Sequence, residues 1–430
     1  MTGPAFPPRV LGALLLLAIA AVVPYLPFLP LPAISDDYMQ IGLGREFLAG
    51  AGLQKLVDHP LYRTRATSIF FTHLLDLLFG DAILPHRAAG VLLHFLNGLL
   101  VFAAGVWPKI GFRRSFAAAL TFLLFAGHQE AVVWVAAVHE LLVFAFTVAC
   151  LIAWVQWLRL RQAKWLALTA VAFVLALYSK ESAAVVPALL AGLWLLEGER
   201  RRVDWVPIVL SGAAVLGYTW LVFAASREHQ HLNDGTFSLH APFVLNLLRT
   251  LWRLLWPWGL CAAAALLWLR RPMPLVAAMT YSAITLLPYS FLTYMPYAPS
   301  RHTYLATAGL ALTMAFARDA LRSAGSTAAR GTALAGAALF VLINPAYLWW
   351  KKLPQYEWRA QPTEAFLAFA RQHGKPVYVG PNPYSVWVYR YTAFVALGWN
   401  HGDVISLGEA DPPAGTPVFT HPLAPPRGTP

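Results

Sequence analysis

Long apolar runs separated by short basic breaks set the pattern of this chain. The first run, Val10 to Pro30, carries no charge and is long enough to cross a bilayer. Repeating that reading along the chain predicts about eleven spans, at 9–30, 85–107, 115–128, 131–157, 165–179, 181–197, 205–225, 242–269, 274–293, 303–319 and 331–350. With Arg9 on the cytoplasmic side, alternate breaks collect the cations. These are Lys109, Arg113 and Arg114; Arg159, Arg161 and Lys164; Arg200, Arg201 and Arg202; Arg270 and Arg271; Arg318, Arg322 and Arg330. An odd number of spans then puts the C-terminus outside. The first run is read as an uncleaved helix, because it is long, lacks a small-x-small cleavage site and is followed by more spans.

Some runs depart from a plain crossing. Residues 66–80 are short and carry His73 and Asp76, so they read as an interfacial or re-entrant helix within a first outer loop, 31–84. The 165–179 and 181–197 runs are also short, parted by Ser179-Lys180-Glu181, and are expected to pack inside the protein. In 242–269, Arg249 and Arg253 share a helical face and Pro257 breaks the helix, which places the first half in the outer interface. Residues 1–350 thus make one transmembrane module. A small outer α/β segment, 351–410, should follow, with a helix capped by Thr363 and ending at Gly374, and strands at 376–379 and 404–407. Pro and Gly make 411–430 a disordered tail.

Composition agrees with an all-α polytopic membrane protein: 58% hydrophobic, 12% charged, with 17 Trp. The net charge of +12 would suggest nucleic acid in a soluble chain, but here the cations lie between spans, so no nucleic-acid partner is expected. Cys150 and Cys261 both fall in apolar runs and define no disulfide framework.

The outer side gathers the unusual polar residues. Asp36 and Asp37 follow the first span, and two charges at that boundary call for a function. Tyr62-Arg63, His128-Gln129-Glu130, His139-Glu140, Lys180-Glu181, the loop Arg227 to His240 and Arg301-His302 come later. Carboxylates beside cations suit transfer from a phosphate leaving group: a carboxylate takes the acceptor's proton and cations stabilise the phosphate. Neighbours in an extended loop point to opposite sides, so one of Asp36 and Asp37 faces the reacting centre, and Asp36 is favoured. Glu140, about ten residues beyond Glu130, would lie well into a span and needs a partner. Hydrogen bonding between helices accounts for His94 and Asn97. A divalent cation held by Asp36, Glu130 and Glu140 is compatible with this spacing, which does not settle metal dependence.

Tyr62-Arg63, His94-x-x-Asn97, His128-x-Glu130-Ala131-Val132-x-Trp134, Ser179-Lys180-Glu181-Ser182-Ala183 and Ser300-Arg301-His302-Thr303-Tyr304-Leu305 occur in an order that resembles the tetratricopeptide-repeat O-mannosyltransferases and their bacterial relatives. These belong to the GT-C glycosyltransferase superfamily, and the resemblance covers most of residues 10–320. It implies a GT-C-like fold and an inverting transfer of a hexosyl or pentosyl sugar from a polyprenyl-phosphate carrier, on the outer face of a bacterial inner membrane, to a protein, glycan or lipid. It implies catalytic roles for Asp36 or Asp37 and for Glu130, and donor-phosphate contacts at Arg301 and Lys180. Tyr62, Arg63, His128, Glu140 and His302 are further substrate-binding candidates, and the C-terminus would face the periplasm. The chain departs from the pattern in having Ser300 and His302 where the family has Glu and Tyr, in lacking a His-Pro pair before His128, and in lacking the repeats. The competing reading is a transporter or lipid flippase, which would show midplane charges and broken helices in two related halves. No such halves, and no internal repeat, are visible.

Overall fold

A computed structural model of the chain describes residues 8–47, 54–55, 59–197, 201–224, 235–293 and 295–421. Arg200 and the Arg227–Asp234 part of the polar outer loop lie outside the described residues. Helices stand at each of the predicted spans. They are α1 (Pro8–Val22), α2 (Asp37–Glu46), α3 (Ala66–Phe79), α4 (Ile83–Ala103), α5 (Gly111–Leu124), α6 (Val138–Leu160), α7 (Ala163–Leu177) and α8 (Val186–Leu196). There follow α9 (Trp205–Ala224), α10 (Phe243–Leu255), α11 (Trp258–Trp268), α12 (Pro272–Leu286), α13 (Thr307–Ser323) and α14 (Thr327–Tyr347).

Among the described residues, five stretches are long and apolar enough to cross a membrane, or seven if each of two bent pairs is one span. The predicted figure was higher because the apolar runs include residues that the chain spends on 3-10 turns. Pro288 falls in one such turn after α12, Leu287–Phe291, and the Ser300–Thr303 turn precedes α13. The α10–α11 pair is bent by 85° at Pro257, as a missing donor and a ring clash dictate. Helix α7 does not pack inside the protein. It buries Thr169, Ala172, Phe173, Ala176 and Leu177, and leaves Leu168, Val171 and Val174 exposed on the opposite face.

The core joins α1, α4, α5, α6 and α13 through Leu17, Val91, Phe122, Phe144 and Leu310, with Tyr304 just before α13 packed among them. Gly98 lets α4 approach α5, for a Cβ there would meet Leu123 at 2.5 Å.

Between α5 and α6 the chain breaks into a 3-10 turn, Ala126–His128, a short helix, Gln129–Val133, and a second turn, Val135–Ala137. The short helix is bent 55° from α5. Glu140 consequently sits in the first turn of α6, not ten residues along a continuous span.

The segment after Trp350 is less separate than its composition suggests. A π turn, Leu348–Lys352, carries α14 directly into α15 (Leu353–His373), so Thr363 lies mid-helix and caps nothing. Pro354 permits this because it stands in the first turn after the π turn, where a missing N–H costs least. Beyond Gly374, α16 (Val386–Leu397) and three parallel strands complete the unit: β1 (Val377–Val379), β2 (Val404–Ser406) and β3 (Val418–Phe419), in the order β2-β1-β3. Strand β3 falls in the expected tail. Its two residues are too few to show a sequence pattern, but Phe419 packs on Phe366 and Tyr389. The unit docks on α2, where Arg45 donates to the Val395 carbonyl at 3.1 Å and His401 meets Glu46 at 2.8 Å.

Candidate active site

The two acidic neighbours face opposite ways. Asp37 opens α2 and is fully buried; its carboxylate accepts from the Ile34 amide at 2.9 Å and the Ala136 amide at 3.4 Å, and lies 3.5 Å from Arg87. Arg87 is itself buried and donates to the carbonyls of Phe28, Leu29, Leu31, Pro32 and Val133. One ion pair therefore ties the end of the first span, the first outer loop and α4 together. Burial pushes the Asp37 carboxyl up to about 6, against the pull of Arg87.

Among the described residues Asp36 forms no such ion pair and keeps one oxygen available. It is the N-cap residue of α2, yet its side chain makes no capping bond, and one carboxylate oxygen is buried without a hydrogen-bond partner. Ser35 before it adopts φ +52°, a strained conformation for a residue with a side chain. Burial raises the Asp36 carboxyl above the usual aspartate range, and the charges of Arg301 and Arg359 partly offset this.

Glu130 and Arg301 meet beside it. Glu130 accepts from the Ser300 hydroxyl at 2.8 Å and the Arg301 amide at 3.2 Å, and the guanidinium groups of Arg301 and Arg359 each approach its other oxygen at 3.7 Å. Both guanidinium groups lie 4.8 Å from the centre of the Trp134 ring. The Tyr356 hydroxyl donates to Gln129, and the Gln129 amide donates to Ser300 at 2.9 Å. Ser300, one of the departures from the family pattern, is thus what links Gln129 to Glu130.

Behind this group lies a second, fully buried one. Lys180 donates to Glu140 and lies 3.1 Å from His302; Glu140 also pairs with His302 and accepts from the Tyr289 hydroxyl at 3.0 Å. These contacts anchor the turn that presents Arg301.

The remaining candidates are engaged elsewhere. Tyr62 is buried against Phe47 and its hydroxyl donates to the Leu43 carbonyl at 3.0 Å, with the Glu46 carboxylate 3.4 Å away; Arg63 is half-buried on the same short helix, Pro60–Thr64. His128 packs among Phe122, Phe125, His94 and Tyr304, and neither ring nitrogen has a hydrogen-bond partner. Asp36, Glu130 and Glu140 do not converge, and among the described residues no three His, Cys, Asp or Glu side chains gather as a metal site.

Sequence reasoning missed Arg359 and Tyr384. Lys352, Tyr356 and Arg359 are spaced by four and three, which is one helical face, but Pro354 and Pro362 hid that periodicity. The Tyr384 hydroxyl donates to the Arg359 carbonyl at 2.5 Å, and no local pattern announces that contact.

No protein-family model and no curated protein matches the chain. Among solved structures, ArnT from Cupriavidus metallidurans bound to undecaprenyl phosphate is similar over 94% of this chain and 90% of its own, with a TM-score of 0.52 and 16% sequence identity. The fold is ArnT-like. At that identity the likeness shows the architecture alone, a polytopic, predominantly helical membrane fold.

Proposed function

We propose that the protein is a membrane glycosyltransferase that moves a sugar from a polyprenyl-phosphate carrier to an acceptor at the outer face of a bacterial inner membrane, with inversion at the anomeric carbon. The observation that carries this reading is the division between the two aspartates: Asp37 is locked against Arg87, while Asp36 keeps one carboxylate oxygen without a partner near Glu130 and two guanidinium groups. A carboxylate with one oxygen unbonded and two cations nearby is arranged to accept a proton close to a developing negative charge. The ArnT-like fold agrees with a lipid-phosphate donor, since that neighbour binds undecaprenyl phosphate.

In this mechanism an acceptor hydroxyl or amine attacks the anomeric carbon as Asp36 takes its proton. The bond from that carbon to the phosphate oxygen breaks, and the lipid phosphate leaves toward Arg301. Glu130, held by the Ser300 hydroxyl, accepts from the Arg301 amide, and Lys180, Glu140 and His302 anchor the turn from behind. A hexosyl or pentosyl donor, mannosyl included, and a protein, glycan or lipid acceptor all fit this chemistry. The test is turnover of a panel of polyprenyl-phosphate-linked sugars by the purified protein, with and without candidate acceptors. Release of polyprenyl phosphate with sugar transfer is expected. No turnover across the panel, together with movement of the intact lipid between leaflets, would establish the flippase reading instead.

A further inference from the structure

Arg359 stands on α15, the helix shared by the membrane module and the C-terminal unit. Its guanidinium carries five N–H donors; among the described residues it forms an ion pair with Glu130 and no hydrogen bond. The nearest carboxylate oxygen, on Glu130, is 3.7 Å away. The Trp134 and Tyr356 rings, 4.8 and 5.3 Å from the guanidinium carbon, fix the group without using its donors. Tyr384 holds the backbone of the same residue. A planar cation, fixed in place and half-buried beside Asp36, with its donors unspent, is built to receive an oxyanion.

We propose that Arg359 is a second guanidinium of the donor-phosphate site, so that the lipid phosphate leaves between Arg301 and Arg359. The inference rests on the glycosyl-transfer reading above. It is supported by charge conservation. As the glycosidic bond breaks, the phosphate passes from a diester with one negative charge to a monoester with two, while Asp36 is neutralised by the acceptor's proton. Glu130 balances one of the two guanidinium groups throughout, and the other matches the charge gained by the phosphate. The C-terminal unit is then part of the active site, because it holds the helix that presents Arg359.

The experiment compares binding of undecaprenyl phosphate and of undecaprenol, which lacks the phosphate, to the full-length protein in lipid nanodiscs. Wild type, Arg359→Gln, Arg359→Lys and Arg301→Gln are measured side by side. Arg359→Gln should weaken phosphate-lipid binding roughly tenfold or more and leave undecaprenol binding as in wild type. Arg359→Lys should recover only part of the loss, since an ammonium lacks the planar fork. An unchanged preference for phosphate in Arg359→Gln, or an equal loss for both lipids, would overturn the proposal and leave Arg359 a structural residue. Loss in Arg301→Gln with none in either Arg359 variant would do the same while sparing the functional reading. A wild-type protein with no preference for the phosphate would overturn both.

Discussion

Replacing Asp37 by Asn removes one charge and one of its two accepting oxygens. Asn keeps one carbonyl oxygen, which can still accept from the Ile34 amide, so the change gives up the charge opposite Arg87 together with the longer 3.4 Å bond from the Ala136 amide to the other carboxylate oxygen. Arg87 would then remain fully buried with its charge uncompensated, surrounded by the carbonyls of Phe28, Leu29, Leu31, Pro32 and Val133. Removing one member of a buried pair costs about 3–5 kcal/mol. The 3.5 Å separation and the surrounding carbonyl dipoles argue for the lower end of that range. Asp36→Asn should cost far less, because the Asp36 side chain makes no capping bond to lose. The assay is the apparent unfolding temperature of the two purified variants in one detergent. A fall of roughly 5 °C or more is expected for Asp37→Asn and little change for Asp36→Asn. The double variant Asp37→Asn/Arg87→Met should recover part of the loss, since no buried cation is then left behind. Equal stability of the two single variants would refute this assignment of roles.

Glu140→Gln should destabilise the protein by about 3 kcal/mol, as it leaves Lys180 a buried unpaired cation, and chemical unfolding beside Glu130→Gln would measure it. Arg301→Ala should weaken donor binding by about 1.5–3 kcal/mol, read as a rise in donor Kd, because a charge-assisted phosphate contact is removed. Asp36 must be ionised to act as a base and burial raises its pKa, so kcat/KM should fall as pH drops through a value above the ordinary aspartate pKa of about 4. An acid limb at or below that ordinary value would contradict the burial argument.

Most of the architecture was legible because apolar run length and loop charge are constraints that the bilayer imposes on sequence directly. The Pro257 bend was legible for a local reason, the missing N–H. What stayed hidden depended on tertiary contacts. The depth of Glu140 could not be read because the turns on either side of Gln129–Val133 look apolar and continuous in sequence. The helix through Lys352 and Thr363 was hidden because its prolines look like stops until the π turn is known. At the site, Asp36, Glu130 and Arg301 stood out as charges at membrane boundaries and do lie together. Arg359 did not, since an Arg in an apparently soluble segment carries no desolvation cost to draw attention. Tyr62 and His128 drew attention through motif position, yet their observed surroundings are protein side chains.

The central claim is that Asp36 acts as the base in sugar transfer from a polyprenyl-phosphate donor. Its most direct test is single-turnover sugar transfer by wild type and Asp36→Asn, with donor binding measured in parallel. The account predicts a rate lowered by about 10²- to 10⁴-fold at unchanged donor affinity. Wild-type rates in Asp36→Asn would contradict it.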